Sequence, residues 1–296
     1  MKATNPTVAV IGIGRMGGAM AATLARAGFS TILWNRNRSK ADAVGAAIGA
    51  PVAATAAEAA SRADVVLTSL ADDAAVLDTY LAPDGIVAGV TPGTVVLETS
   101  TIDPETVQRV GAAIDAAGGA HLDCPVSGSV STVEAGALTI MVGGATEVLE
   151  RARPVLDALA SNVIHVGDRG AGAATKLAVN GLVHGLNVAL SEAVVLAERA
   201  GVDRTKAYEV FATGAGGAPF VQYKRDAYEH PDEAVVAFSL DLVAKDLELI
   251  TGLGERVGAP MRQAAAGLDI VNSAIGAGFG DRDLSAIAVY LREGAT

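Results

Sequence analysis

The feature that most constrains this chain is the alternation, through its first half, of short runs rich in Val, Ile and Leu with alanine-rich amphipathic stretches. This alternation is typical of βαβ units, in which helices cover the faces of a parallel sheet. Strands are predicted at residues 7–11, 31–35, 64–69, 94–98, 120–123, 138–142 and 163–166. Helices are predicted between them at residues 15–27, 38–48, 72–81, 104–117 and 146–159.

The second half of the chain lacks this alternation. No proline interrupts residues 173–200, which predicts one long helix of about 40 Å. Only helical patterns follow, with glycine-rich loops between some of them. The helices are predicted at residues 203–212, 219–228, 238–257, 260–275 and 283–292, and the loops at 213–219 and 276–281. The predicted fold is an α/β Rossmann-type domain, residues 1–165, and an all-α domain, residues 166–296, joined by a long inter-domain helix.

The charge balance excludes some classes of partner. The chain has 33 acidic and 22 basic residues, a formal net charge of −11, which repels nucleic-acid phosphates and anionic lipids. Its single cysteine, Cys124, cannot form an internal disulfide. No apolar stretch approaches the roughly 20 residues that span a bilayer. We therefore expect a cytoplasmic protein with no nucleic-acid or membrane partner.

A glycine-rich turn follows the first predicted strand. Gly12, Gly14 and Gly17 have the G-x-G-x-x-G spacing at the start of a helix, which is typical of a dinucleotide-binding turn. The residues between them, Ile13, Arg15 and Met16, are assigned to the same cofactor-binding turn. The alternative is a glycine-rich turn that binds no ligand.

The end of the second predicted strand indicates which nicotinamide cofactor is used. An acidic residue there binds the free ribose 2′-hydroxyl of NAD, but this chain has Asn35, followed by Arg36, Arg38, Ser39 and Lys40. Arginine suits a 2′-phosphate, so NADP is predicted, with Asn35, Arg36 and Arg38 as ligands. The alternative is a solvated run of charges at the start of a helix.

Four further segments resemble those of the β-hydroxyacid dehydrogenase family over nearly the whole chain. They are DCPVSGSVSTVEAG (123–136), GDRGAGAATKLAVN (167–180), AFSLDLVAKDLELI (237–250) and ETSTID (98–103). The family includes 3-hydroxyisobutyrate dehydrogenases and glyoxylate or succinic semialdehyde reductases. The resemblance implies an enzyme that transfers a hydride between NADP and a small carboxylate-bearing substrate, and a homodimer or homotetramer.

The long predicted helix carries a polar stripe. Lys176 and Asn180 are four residues apart and hence on one face, and His184, Asn187 and Ser191 continue that face. Hydrogen bonds inside a domain or a subunit interface explain the last three. A lysine in the first turn of a helix is unfavourable near the positive end of the helix dipole, so Lys176 needs a compensating reason. By resemblance, Lys176 is the catalytic lysine and Asn180 its catalytic neighbour.

The resemblance also assigns the remaining site residues. Ser127 and Gly128 would bind the substrate carboxylate, although Ser129 stands where the family has a second glycine. Phe238 and Asp246 would line the substrate pocket, and Lys245 would lie near the nicotinamide. Thr101 would contact both cofactor and substrate, and Leu70 and Ala71 would contact the cofactor. A buried salt bridge is the alternative for Asp246.

The chemistry predicted is interconversion of a β-hydroxy acid and its semialdehyde or keto acid, with Lys176 as general acid and base. An NADPH-dependent imine reductase and a non-catalytic NADP-binding redox sensor are the alternatives. His121, His165 and His230 lack ligand spacing, so no metal is predicted.

Overall fold

The computed structural model describes residues 5–294. In this part of the chain the strands have apolar sequences such as VAVI. Several helices begin where a polar side chain caps the first turn, as Asn37 and Asp103 do. The strands are β1 Val8–Ile11, β2 Thr31–Trp34, β3 Val65–Thr68, β4 Val95–Glu98, β5 Ala120–Asp123, β6 Val126–Ser127, β7 Leu138–Gly143 and β8 Ala160–Gly167. The helices of the first half are α1 Arg15–Arg26, α2 Arg38–Ile48, α3 Ala56–Ser61, α4 Asp73–Leu81, α5 Ile86–Gly89, α6 Pro104–Ala116, α7 Val130–Glu134 and α8 Thr146–Leu159.

These strands form one sheet in the order β2-β1-β3-β4-β5-β7-β6, with β8 beside β7. The first five strands in this order are parallel, whereas β7 runs antiparallel to β5 and β6. Alternate residues bury opposite faces: Val8 and Val10 join one apolar cluster and Ala9 and Ile11 another. The predicted α/β Rossmann-type fold is confirmed.

The long helix, α9, spans Ala171–Arg199, and helices follow it. They are α10 Arg204–Thr213, α11 Pro219–Tyr223, α12 Arg225–Glu229, α13 Leu240–Val257, α14 Arg262–Ala274 and α15 Ile287–Glu293, with a π-helix at Ile275–Phe279 and a 3₁₀-helix at Leu284–Ala286. The chain divides into two compact units, residues 1–176 and 177–296, and the division falls within α9. The second unit has its own apolar core, centred on residues such as Val194, Tyr208 and Leu247.

Several local predictions were wrong. The sheet is not wholly parallel, because the short connection from β5 through β6 to β7 holds no long crossover helix. The predicted loop 276–281 begins within the π-helix, which contains Gly278 at φ +90°. The predicted helix 219–228 is two short helices separated at Lys224, whose side chain is buried in an ion pair. The elements α3, α5, α7 and β6 were missed because they are too short to show a clear hydrophobic period.

Helix α9 contradicts the expectation that no apolar stretch of the chain is long enough to span a bilayer. It has the length of a membrane-spanning helix, and an 18-residue window has a mean hydropathy of 1.4. Its Ala, Val and Leu residues outweigh polar residues such as Asn180, His184 and Asn187, so a stretch of that length and mean hydropathy is present. The core helix of a globular unit passes the same test, and Asn187 and Ser191 of α9 are buried against protein partners.

Candidate functional site

The turn from β1 into α1 has the shape of a phosphate-binding loop. Gly12 has φ +94°, and a Cβ there would lie 2.2 Å from the carbonyl oxygen of Ser69. A Cβ at Gly17 would lie 2.0 Å from the carbonyl oxygen of Gly12, whereas at Gly14 nothing lies within 4 Å. The backbone is therefore crowded where helix and sheet meet and open where a ligand would approach. Gly14 has no side chain to cap α1, so the helix N-terminus suits an anion.

A cleft of about 380 Å³ lies beside this turn. It is lined by Gly12, Gly14, Trp34, Asn35, Arg36, Asn37, Lys40, Ala56, Ser69, Leu70, Ala71, Ala75, Asp78, Thr79, Ala82, Asp84 and Gly85. Six of the predicted cofactor residues line it, namely Gly12, Gly14, Asn35, Arg36, Leu70 and Ala71. Seven do not, namely Ile13, Arg15, Met16, Gly17, Arg38, Thr101 and Lys245. Ile13 is buried in the core and Met16 packs against the core. Arg15 is exposed in the first turn of α1.

The polar residues after β2 differ in whether they hold the glycine-rich turn, line the cleft or pair with another side chain. The Asn35 Oδ1 accepts a hydrogen bond from Ile13 N at 2.9 Å, and its Nδ2 donates to the Asn37 carbonyl at 2.9 Å. Asn35 thus fixes the glycine-rich turn to the end of β2. Arg36 and Lys40 line the cleft, whereas Arg38 lies outside the lining and pairs with Asp42 at 3.5 Å. Lys40 was not among the residues assigned to the cofactor, although its position in the basic run was a signal.

The loops after β3 and β4 are tied together by a buried carboxyl group. Glu98 accepts hydrogen bonds from Thr68 Oγ1 at 2.8 Å and from Ser100 N at 2.7 Å, and Ser100 Oγ accepts one from Leu70 N at 2.8 Å. Burial raises the pKa of Glu98, and burial together with the neighbouring Glu98 raises the pKa of Tyr80. This network holds Leu70 at the cleft and fixes the backbone that leads to Thr101. The sequence argument did not identify it, although Thr68 and Glu98 are polar ends of apolar strands.

The substrate motif forms a strand end and a short helix. Ser127 ends β6, and Gly128 follows at φ +144°, where a Cβ would lie 2.7 Å from Leu138 Cδ2. Ser129, which departs from the family pattern, caps α7: its hydroxyl accepts from Thr132 N at 3.4 Å, and its own N–H donates to Thr132 Oγ1 at 3.2 Å. The departure is therefore accommodated by a capping box.

Lys176 lies in the second turn of α9, because the helix begins at Ala171 and not at Ala173. The expectation that it occupies the first turn was wrong. Lys176 is half-buried, and Asn180, one turn later, is buried.

Asp246 is the centre of a polar cluster in the second unit. Its side chain is fully buried, and its Oδ2 accepts from Asn180 Nδ2 at 2.6 Å and lies 3.4 Å from His184 Nε2. Lys245 Nζ lies 2.9 Å from its Oδ1, and the His184 ring stacks on Phe238 at 5.9 Å between centroids. Burial acts to raise the pKa of Asp246, but the contacts with His184 and Lys245 outweigh it and lower that pKa. The structure thus brings together four predicted residues, Asn180, Phe238, Lys245 and Asp246.

The rest of the polar stripe has partners inside the second unit. Asn187 Nδ2 donates to the Leu284 carbonyl at 3.0 Å and its Oδ1 accepts from Tyr228 at 2.8 Å, while Ser191 Oγ lies 3.0 Å from Tyr228 Oη. These bonds give Asn187 and Ser191 partners within one subunit, so these two residues are no argument for a second copy.

A buried ion pair holds the segment that carries Phe238. Lys224 Nζ lies 2.7 Å from Asp283 Oδ1, and Asp283 Oδ2 accepts from Ala237 N at 2.9 Å and Phe238 N at 3.3 Å. Both partners of the pair are almost fully buried. Sequence reasoning missed this pair because its members are 59 residues apart.

The three remaining histidines and Cys124 have surroundings that suit a structural role. His165 Nε2 contacts the Gly144 carbonyl at 2.7 Å, and His230 Nδ1 lies 3.2 Å from Asp226. Burial lowers the pKa of His121 to about 3 and raises that of the Cys124 thiol well above its usual value. Within residues 5–294, His, Cys, Asp and Glu form no group of three or more that is suited to a metal ion.

Comparison with known proteins agrees with this geometry. Residues 7–167 match the family described as the NAD binding domain of 6-phosphogluconate dehydrogenase, and residues 170–291 match that described as NAD-binding of NADP-dependent 3-hydroxyisobutyrate dehydrogenase. An NAD-dependent L-serine dehydrogenase of Pseudomonas aeruginosa is 34% identical over 95% of this chain and 96% of its own. A solved 3-hydroxyisobutyrate dehydrogenase of Mycobacterium tuberculosis with L-serine is 32% identical at a TM-score of 0.86, over 97% of this chain and 99% of its own.

Fold and cleft together define a nicotinamide-dependent dehydrogenase. With relatives of this similarity along nearly its whole length, the chain belongs to the β-hydroxyacid dehydrogenase family. It is an NAD(P)-dependent enzyme of that family. A solved imine reductase of Pseudomonas sp. is 24% identical at a TM-score of 0.66, over 97% of this chain and 99% of its own, which shows a shared fold alone.

Proposed function

We propose that this dehydrogenase uses NADP to interconvert a small β-hydroxy acid and its semialdehyde or keto acid, with Lys176 exchanging the hydroxyl proton. The observation that carries the cofactor choice is the cation pair Arg36 and Lys40 in the cleft, next to the neutral Asn35. A 2′-phosphate is attracted by such cations and would be repelled by the carboxylate that NAD enzymes often carry there.

The substrate class follows from the relatives and from the substrate motif. L-serine and 3-hydroxyisobutyrate, for which relatives are named, both carry a hydroxyl group on the carbon β to a carboxylate. We assign the carboxylate to the Ser127 hydroxyl and the Gly128 N–H, which donate hydrogen bonds without adding charge. Thr101, Phe238 and Asp246 keep the substrate contacts that the family resemblance gives them.

Proton transfer is assigned to Lys176. When bound, the nicotinamide cofactor supplies the hydride for reduction or accepts it in oxidation. During reduction the Lys176 ammonium gives a proton to the carbonyl oxygen, and during oxidation the neutral amine takes the hydroxyl proton. Asn180 lies one turn further along α9, and its hydrogen bond to Asp246 fixes the orientation of its amide.

The test is a panel of small 3-hydroxy acids and semialdehydes assayed with NADPH, NADP, NADH and NAD, using wild type and Lys176→Ala. General acid-base catalysis contributes about 10²- to 10⁴-fold, so Lys176→Ala should lose at least that much kcat. Its Kd for NADPH should stay within about twofold, since the lysine acts on the substrate. Turnover above about a tenth of wild type in Lys176→Ala would assign the proton to another group.

We also propose a cytoplasmic homodimer or homotetramer without nucleic-acid or membrane partners. Support for assembly comes from Leu182 and Leu196 of α9, which are 75% and 71% exposed. They are about four turns apart on one face of the helix, where a second copy would remove them from water.

A further inference from the structure

Asp123 binds the start of helix α9 from the neighbouring sheet. It is the last residue of β5 and is almost fully buried. Its Oδ1 accepts a hydrogen bond from Gly170 N at 2.9 Å, and its Oδ2 accepts one from Ala173 N at 2.8 Å. Gly170 precedes the helix and has no side chain of its own to cap it. The Asp123 carboxylate therefore acts as the cap of α9. One of the N–H groups that it binds, that of Ala173, is three residues before Lys176.

The surrounding backbone leaves room for this carboxylate and little more. A Cβ at Gly143 would lie 2.5 Å from Asp123 Oδ1. A Cβ at Gly172 would lie 2.7 Å from the backbone carbonyl oxygens of Asp123 and Met141 and 2.8 Å from Asp123 Oδ2. Two glycines on separate elements thus admit the same carboxylate. Its position, and with it the start of α9, is fixed by close contact on both sides.

We propose that Asp123 is a positioning residue for Lys176, which sets the direction of the first turns of α9 and favours the protonated form of the lysine. This inference rests on the proposed function, in which Lys176 exchanges the substrate proton. Backbone N–H groups give a helix N-terminus about half a positive charge, which disfavours an ammonium most strongly in the first turn. Lys176 follows in the second turn, where this effect is weaker but of the same sign. The negatively charged Asp123 carboxylate is hydrogen-bonded to two of those N–H groups, so it offsets part of their positive charge.

The other titratable groups near this helix start contribute less net charge. Arg169 and Asp115 form an ion pair of opposite charges at 2.8 Å beside the turn. His121 has its pKa lowered to about 3 by burial, and the pKa of the Cys124 thiol is raised well above its usual value, so both are neutral near pH 7. Glu98, on the neighbouring strand, has its pKa raised by burial. Asp168 precedes the turn and is exposed to solvent, which screens its charge.

The test is the pH profile of kcat for Asp123→Asn. Reduction needs the protonated lysine and falls as pH rises through its pKa, whereas oxidation needs the neutral amine and rises there. Removing the Asp123 charge favours the amine, so both limbs should move to lower pH, by about 0.3 to 0.7 unit. The matched control is Asp168→Asn, which removes an exposed carboxylate beside the same turn and should leave both limbs in place, because solvent screens its charge. A role in folding alone would lower stability without moving the limbs.

If Asp123→Asn folds and both limbs of its pH profile of kcat stay at the wild-type pH, the inference is overturned. Lys176→Ala, measured in parallel, separates the two proposals: if it keeps its turnover the proposed function fails, whatever Asp123 does. Should circular dichroism show that Asp123→Asn does not fold, Gly172→Ala decides, because its Cβ displaces the capped turn while the charge remains. It should lower kcat severalfold with the limbs in place and NADPH affinity unchanged, and wild-type kcat in that variant refutes the positioning role.

Discussion

The comparison of Arg36→Ala with Arg38→Ala tests the cofactor assignment most sharply. Both are exposed arginines two residues apart, but only Arg36 lines the cleft, while Arg38 pairs with Asp42 at 3.5 Å. A hydrogen bond to a charged group contributes about 1.5–3 kcal/mol, or roughly 12- to 140-fold in Kd. Because Arg36 is exposed, solvent screening places the loss near the lower end, about tenfold.

Arg36→Ala should therefore weaken NADPH binding about tenfold and leave NADH within about twofold, because NADH has no 2′-phosphate. Arg38→Ala should change neither affinity by more than about twofold, since exposed pairs such as Arg38–Asp42 are weak. Lys40→Ala should behave like Arg36→Ala. Fluorescence titration of the reduced cofactors gives all the required constants.

Asn35→Asp provides the converse test. The aspartate keeps an oxygen for the Ile13 N–H, so the glycine-rich turn should persist. It loses the hydrogen bond that Asn35 Nδ2 donates to the Asn37 carbonyl and adds a negative charge beside the cleft. NADPH affinity should fall and NADH affinity should hold or rise. Equal affinity of the wild type for the two cofactors, or equal losses in Arg36→Ala and Arg38→Ala, would refute the reasoning.

Two further predictions concern stability and assembly. Burial acts to raise the pKa of Asp283, but Lys224 and backbone N–H groups outweigh it and lower that pKa. The ionised carboxylate therefore stabilises the folded state above about pH 4, and this stabilisation is lost as pH falls through the folded-state pKa. Lys224→Met should cost about 3–5 kcal/mol at pH 7 and less at pH 3, where Asp283 is closer to neutral; equal costs by urea denaturation at both pH values would contradict this. Light scattering should show a dimer or tetramer that Leu182→Glu dissociates, and a fully active wild-type monomer would exclude the assembly.

Local sequence determined the elements whose signals are short-range. The strands around Val8–Ile11 and Val65–Thr68 are continuous apolar runs, and the spacing of Gly12, Gly14 and Gly17 specifies a turn that only glycine fits at its crowded points. The absence of proline gave α9 to within two residues at its start. Such features depend on neighbours in the chain, so reading along the chain is sufficient to find them.

Tertiary structure decided which side chains meet. Arg38 and Lys40 look equivalent in sequence, yet one turns to Asp42 and the other to the cleft, because successive helical residues point in different directions. Asp123 caps a helix that begins 48 residues later, and Asn180 meets Asp246 across 66 residues. Sequence patterns identify Asn180 and Asp246 as polar residues on apolar faces, but they carry no distance between them. Only the folding of separate elements against one another sets those distances, and with them the hydrogen bonds on which the proposed chemistry depends.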